Sequence, residues 1–386
     1  MTDWILIDTQ EGLDALVDDL HGQSWLTLDT EFMREKTYHP RLCLLQLASE
    51  DLVACIDPLA IDDLDPLFEL IEDPAITKVL HAAHQDLEIL HHLRGRVPEN
   101  LFDTQIAATV LGQGEQVGYA RLVENLLGRQ LDKSQTRTDW CRRPLTRKQL
   151  GYAADDVRYL RDIYRLQLEA LDRLGRHDWL TEDFARLSDP ARYQVDPDRQ
   201  WRRVKGMQKL RPRQRAILQQ LAAWRERQAL ASNRPRRWIL KDEPLLDLAM
   251  QAPEDRKELA AIRGLPEATV ERHGDTLLDC IRQGRELPRE DWPELPRRPH
   301  LDEHQQALVD LLMAVVRTQA DRHEVNASVL VSRKDMERLV TGDRAIPLLE
   351  GWRLRVAGQS VEDLLAGEIA LTVEEGRITA LPRTDR

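Results

Sequence analysis

The sequence predicts an α/β domain with a central mixed sheet, followed by all-α modules. Three observations predict this. Short β-prone runs alternate with helical patterns over the first third of the chain, and from about Gln105 onward the pattern is almost wholly helical. Four prolines, Pro288, Pro293, Pro296 and Pro299, then fall within twelve residues and interrupt the helical part.

The first strand is expected at Trp4-Ile5-Leu6-Ile7 and the second at Trp25-Leu26-Thr27-Leu28. Leu42 to Ala48 and Leu52 to Ile56 flank the polar Ser49-Glu50-Asp51 turn and read as a hairpin. Thr77-Lys78-Val79-Leu80 reads as a further buried strand, and helical patterns cover Glu11 to Leu20, Leu64 to Ile71 and His84 to Leu93. Past residue 200 the pattern offers no strand. Ile217, Leu221, Trp224 and Leu230 form the apolar stripe of a helix over Arg213 to Ala231. A second helical block runs from about Leu301 to Leu371 and echoes the first: Arg237 to Leu248 resembles Ala327 to Leu339, each about 25 residues into its block. Each block ends on an amphipathic helix, near Asp275 to Ile281 and Ser360 to Leu365. The expected division is therefore 1–200, 205–287, a Pro-rich linker at 288–299, 300–375, and a tail at 376–386.

At 386 residues the chain is long enough for two or three domains. Its 42% hydrophobic and 32% charged composition is that of a globular protein. No run approaches 18 apolar residues, so no membrane span is expected, and the N-terminus lacks the pattern of a signal peptide. Cys43, Cys55, Cys141 and Cys280 form no C-x-x-C pair and are read as reduced, buried thiols of a cytoplasmic protein.

The formal net charge of −12 argues at first against a polyanionic partner. The distribution reverses that reading. Residues 201–240 carry twelve Lys or Arg against the single acid Glu226, a net of +11, which leaves −23 on the rest of the chain. Such a stretch suits phosphate binding; a merely solvated helical face has the same composition. Trp201, Trp224 and Trp238 lie within it and can stack on bases, but in small helical domains tryptophan is more often core, which is the expectation here.

The chemistry is expected from carboxylates. Asp29 and Glu31 end an apolar strand two residues apart, so both face one side. Two such acids repel unless a cation lies between them, and oxygen-only ligands favour Mg²⁺ or Mn²⁺. Taken alone, D-x-E is also common in solvated turns. Asp86 stands in the first turn of a helix, where ordinary dipole complementarity also explains an acid. Tyr152 and Asp156 are four apart and share a helix face, whereas Asp155 is turned about 100° away and is read as a surface acid. His81, His84, His91 and His92 lack a nearby cysteine or fourth ligand and are read as structural or surface histidines.

Together these segments resemble the DEDD exonuclease superfamily in its tyrosine-containing branch, and within it the bacterial ribonuclease D family, over about residues 3 to 375. The resemblance rests on Asp29-Thr30-Glu31-Phe32, Leu44-Leu45-Gln46-Leu47, Ile56-Asp57-Pro58-Leu59 and Phe102-Asp103-Thr104-Gln105. It rests more specifically on Leu131-Asp132-Lys133-Ser134, Arg137-Thr138-Asp139-Trp140, Arg143-Pro144-Leu145 and Tyr152-Ala153-Ala154-Asp155-Asp156-Val157. The two helical blocks are similar to HRDC domains, the first more so. The resemblance implies an RNase H-like mixed β-sheet with flanking helices, followed by two small helical HRDC-like bundles. It implies hydrolysis of RNA from the 3′ end, releasing nucleoside 5′-monophosphates, with two divalent ions (Mg²⁺ or Mn²⁺) held by Asp29, Glu31, Asp86 and Asp156. Asp29 would bridge the ions, Glu31 and Asp156 would complete the nucleophile's side, and Asp86 would serve the other. Tyr152 would orient the attacking water, since a tyrosine's ordinary pKa of about 10 makes it a poor base at neutral pH. Arg137 and Asp139 match the family pattern and would contact substrate or close a salt-bridged loop. RNA is the implied partner, transfer-RNA precursors with 3′ extensions in particular, and no obligate protein partner is expected. Arg202, Arg203, Lys205 and Lys209 are the candidate RNA-binding residues. Two other classes fit the same acids: a 3′→5′ DNA exonuclease, and a non-catalytic RNA-binding protein on the same fold.

Overall fold

The computed structural model describes residues 4–132, 134–135, 138–295 and 299–383; Lys133, Arg137 and Pro296 lie outside them. Six strands form one sheet: β1 (Ile5–Ile7), β2 (Trp25–Met33), β3 (Arg41–Ala48), β4 (Val53–Ile56), β5 (Thr77–Leu80) and β6 (Leu101–Asp103), in the order β1-β4-β3-β2-β5-β6. β3 and β4 pair antiparallel as the expected hairpin, while β1 with β4, β2 with β5 and β5 with β6 are parallel. The sheet is therefore mixed. The helices associated with it are α1 (Gln10–Leu20), α2 (Asp65–Glu72), α3 (His84–Arg94), α4 (Thr104–Val110), α5 (Tyr119–Leu127) and the long α6 (Arg147–Leu174).

One expectation about strands is corrected and two readings are completed. The apolar run ending at Leu28 is only the first half of β2, which continues through Met33. It continues because β2 is an interior strand, flanked by β3 and β5, and paired neighbours hold polar residues in extended backbone. β6 is three residues long and too short to leave a periodicity. Past residue 200 there is a hairpin, Ile369–Glu374 with Arg377–Pro382, which runs through the segment read as a tail.

The cysteine reading is also corrected. Cys43 on β3 and Cys141 form a disulfide across 98 residues of sequence; Cys55 and Cys280 are free. Spacing alone does not reveal a pair that only the fold brings together.

The chain groups into two compact units. The first contains the sheet, α1 to α6 and the C-terminal block 299–383. The sheet side and that block share one buried cluster, which includes Val79, Phe102, Tyr164 and Trp179 with Val309, Leu312, Val316 and Trp352. Trp179 stacks on Trp352 with ring centroids 4.3 Å apart, and the Arg176 guanidinium donates to the His323 carbonyl at 2.7 Å. Gly112 has φ +70°, and a Cβ there would lie 2.2 Å from the Glu324 carbonyl oxygen, so this approach requires glycine.

The second unit contains residues 194–295 and the segment Met33–Arg41. Its core includes Trp201, Leu218, Leu221, Trp224, Leu245, Leu248, Leu277 and Ile281. Helices Pro212–Ser232 and Glu267–Glu286 cross so closely that a Cβ on Gly284 would come 2.5 Å from Ile217 Cα. Trp201 and Trp224 are core, as expected; Trp238 is 61% exposed and corrects that expectation. Asn233 caps the first of these helices in left-handed conformation, and its Oδ1 accepts from the backbone N–H of Tyr38 and of His39. Tyr38 donates its hydroxyl to the buried Glu226, which also pairs with Arg236 at 2.9 Å.

Candidate active site

β2 supplies the first two acids. Its side chains alternate, so Thr27, Asp29 and Glu31 share a face. Thr27 Oγ1 donates to the Val157 carbonyl of α6 at 3.0 Å in a buried setting. That one bond ties the strand bearing Asp29 and Glu31 to the helix bearing Tyr152 and Asp156. α6 begins at a capping box between Thr146 and Gln149, and the small, buried Ala153 and Ala154 face the interior between Tyr152 and Asp156.

The result is an acid cluster. Asp29, Glu31 and Asp156 each offer one oxygen, and these three atoms lie within 4.8 Å of one another. Such a spacing lets three oxygens reach one Mg²⁺ or Mn²⁺ at ordinary coordination distances. Asp86, in the first turn of α3, is buried and accepts a hydrogen bond from the Thr30 hydroxyl. It is outside the three-oxygen group but close enough to raise the Asp29 carboxyl.

Electrostatics records the crowding. Burial, then the charges of Asp86, Asp156 and Glu31, push the Asp29 carboxyl well above the usual range. Burial, then Asp156 and Asp86, pushes Glu31 up to about 9. Burial pushes Asp86 up to about 7, against the lowering effect of the Thr30 hydroxyl. Burial and Asp155 push Asp156 up to about 7. Acids placed so that each resists ionising are held ready for a cation, which removes the repulsion.

Tyr152 lies one turn before Asp156, with its ring against Trp140. Asp155 turns to Arg158 at 2.7 Å, as its helical position predicts. Asp139 accepts from the Cys141 backbone N–H and so shapes its own loop. Among the described residues the histidines form no metal-binding group. His81 is held between Thr104 Oγ1 and the Val117 carbonyl, and His84 stacks on Tyr193.

Sequence reasoning missed three residues of the site. Thr30 holds Asp86 from 56 positions away. Asp103 accepts from the backbone N–H groups of Ala82 and Ala83, fixing the entry to α3. Tyr119 is half-buried, donates its hydroxyl to the Asp155 carbonyl, and is pushed well up by burial and by Asp156 and Asp29. None of these long-range contacts leaves a local pattern.

Residues 4–169 match the 3'-5' exonuclease family, and residues 214–281 match the HRDC domain. A ribonuclease D of Gluconacetobacter diazotrophicus is 42% identical over 383 residues, covering 98% of this chain and 97% of the relative. One of Granulibacter bethesdensis is 43% identical over 377 residues, covering 97% and 95%. The chain belongs to the ribonuclease D family. The crystal structure of Escherichia coli RNase D, an exoribonuclease involved in structured RNA processing, is similar at TM-score 0.80 and 32% identity. That similarity covers 95% of this chain and 99% of the E. coli one. As a ribonuclease D, the chain is a hydrolase with a 3′→5′ exonuclease domain and a helical HRDC domain after it. Its superfamily depends on metal ions, and the acid cluster is the place where this chain can hold them.

Proposed function

We propose that the chain removes nucleoside 5′-monophosphates one at a time from RNA 3′ ends, using the acid cluster to hold two divalent ions, Mg²⁺ or Mn²⁺. The observation that carries this reading is geometric: oxygens of Asp29, Glu31 and Asp156 lie within 4.8 Å of one another, beside Asp86, and burial opposes the ionisation of all four acids. Asp29 is assigned to both ions, Glu31 and Asp156 to the one on the nucleophile's side, and Asp86 to the other. When bound, the ions supply positive charge that acidifies water and balances charge on the departing oxygen. Tyr152 orients the attacking water through its hydroxyl. The water oxygen forms the new bond to phosphorus, and the 3′ oxygen of the preceding nucleotide leaves with a proton. The products are a 5′-monophosphate and an RNA one residue shorter with a free 3′ hydroxyl.

RNA binding is assigned to Arg202, Arg203, Lys205 and Lys209. All four are exposed, and among the described residues none is in an ion pair, whereas Arg225, Arg227 and Arg236 of the same basic stretch pair with Asp242, Asp198 and Glu226. By motif we assign an exonuclease region to 1–200 and HRDC-like regions to 205–287 and 300–375. Transfer-RNA precursors with 3′ extensions are the proposed substrate and the cytoplasm the proposed place; among the described residues no helix is long and apolar enough to cross a membrane. Incubating 3′-extended transfer RNA with the protein in Mn²⁺ is expected to release 5′-monophosphates, and EDTA to stop it. Cleavage that continues in EDTA overturns the metal assignment. A matched DNA oligonucleotide in the same assay ranks the two polymers.

A further inference from the structure

We propose that Trp140 is a positioning residue for hydrolysis: it fixes the ring of Tyr152, and thereby the hydroxyl that aligns the attacking water. The inference rests on the role given to Tyr152 above.

Trp140 is 3% exposed, and its ring lies against that of Tyr152 with centroids 6.0 Å apart and planes 34° apart. The Tyr152 hydroxyl is at the far end of its side chain. A small swing about χ1 displaces it by roughly 1 Å, and a misplacement of that size in an active site costs on the order of 100-fold in rate. A wall that stops the swing therefore acts on the chemical step without touching substrate.

The wall is itself restrained from several sides. Trp140 lies in a segment without regular secondary structure just before α6, where backbone order must be imposed at roughly 1–2 kcal/mol per residue. Its neighbour Cys141 is bonded to Cys43 on β3. Two residues on, Arg143 spans both carboxylate oxygens of Asp57, at 2.5 and 2.6 Å. The same guanidinium donates to the Cys43 carbonyl and, at 2.7 Å, to the carbonyl of Trp140 itself. On the other side, Asp139 accepts from the Cys141 N–H through its side chain and from the Arg142 N–H through its carbonyl. These restraints converge on the one residue of the segment whose ring meets Tyr152.

The test is a double-mutant cycle read as single-turnover cleavage of a short, unstructured RNA in saturating Mn²⁺. Trp140→Leu is expected to slow cleavage by about 10-fold or more, with RNA affinity and Mn²⁺ affinity nearly unchanged. Trp140→Phe keeps a ring and is expected to restore most of the rate. In the Tyr152→Phe background, Trp140→Leu is expected to cost almost nothing further, since the hydroxyl it positions is gone. Losses that multiply in the double variant, or a normal rate in Trp140→Leu, overturn the proposal. A normal rate in Tyr152→Phe alone overturns the role of Tyr152, and this inference with it, by a result distinct from multiplying losses. Should Trp140→Leu not fold, Cys141→Ser, which cuts the tether to β3, replaces it in the cycle under the same criteria.

Discussion

Asp29 is placed where a carboxylate is least comfortable in the metal-free fold. It is half-buried beside three other acids, and each of their charges raises the cost of its own. Asp29→Asn is therefore expected to abolish turnover and, in EDTA, to raise the melting temperature above that of the parent protein. Thermal scans in EDTA check this, and a lower melting temperature contradicts it. The pH dependence follows from the same groups. Glu31 titrates at about 9 and Asp86 and Asp156 at about 7 in the folded protein, all above the ordinary carboxyl range of about 4. The folded state then binds more protons than the unfolded chain between these values. Their contribution to stability is complete below pH of about 4 and is lost as pH rises through 7 and towards 9. Melting temperature in EDTA is expected to fall over that range, and Mn²⁺ to reverse the fall by binding the ionised acids. Tyr152→Phe removes one hydroxyl and little volume. It is expected to leave melting unchanged and to slow single-turnover cleavage by about 10²–10⁴-fold.

At the scale of elements, the site is a strand and a helix held in register. β2 presents Thr27, Asp29 and Glu31 on one face, and α6 presents Tyr152 and Asp156. The Thr27 hydroxyl and Val157 carbonyl join them in a buried hydrogen bond. Thr27→Val keeps the shape and the β-branch but removes the donor, so it is expected to cost about 1 kcal/mol in urea unfolding. It is also expected to weaken Mn²⁺ binding, because Asp156 is no longer held against Asp29 and Glu31. A variant with normal Mn²⁺ affinity shows that packing around Ala153 and Ala154 suffices. The hairpin of β3 and β4 and the first turns of α1, α2 and α3 are legible in the sequence, because each is set by local alternation or 3.6-residue periodicity. β6 is not, because three residues carry no period and its place is decided by pairing with β5.

At the scale of the molecule, charge is segregated. A net of +11 over residues 201–240 sits within a chain of net −12. Replacing Arg202, Arg203, Lys205 and Lys209 with Gln is expected to weaken binding to structured RNA. For every phosphate that the variant no longer neutralises, the slope of log K against log salt falls by roughly 0.7–0.9. Cleavage of a short oligonucleotide at saturation is expected to be spared. An unchanged salt slope identifies the stretch as a solvated face. The C-terminal block shows a second property of the whole: it shares its core with the sheet side through Trp179 and Trp352. Amphipathic periodicity shows that those helices have apolar faces and cannot show what the faces cover.

Residue types and their local spacing are what the chain carries before it folds. Asp29 and Glu31 share a face because side chains alternate in strands, and Tyr152 and Asp156 share one because helices repeat every 3.6 residues. Such relations are fixed by backbone geometry within a few residues, so they can be read from the sequence. Folding in three dimensions is needed to settle that Thr30 holds Asp86, that Cys43 meets Cys141 across 98 residues, that Trp140 meets Tyr152, and that Trp238 is exposed. These features depend on segments whose separation along the chain sets no distance in space, and only the packing of the elements against one another fixes them.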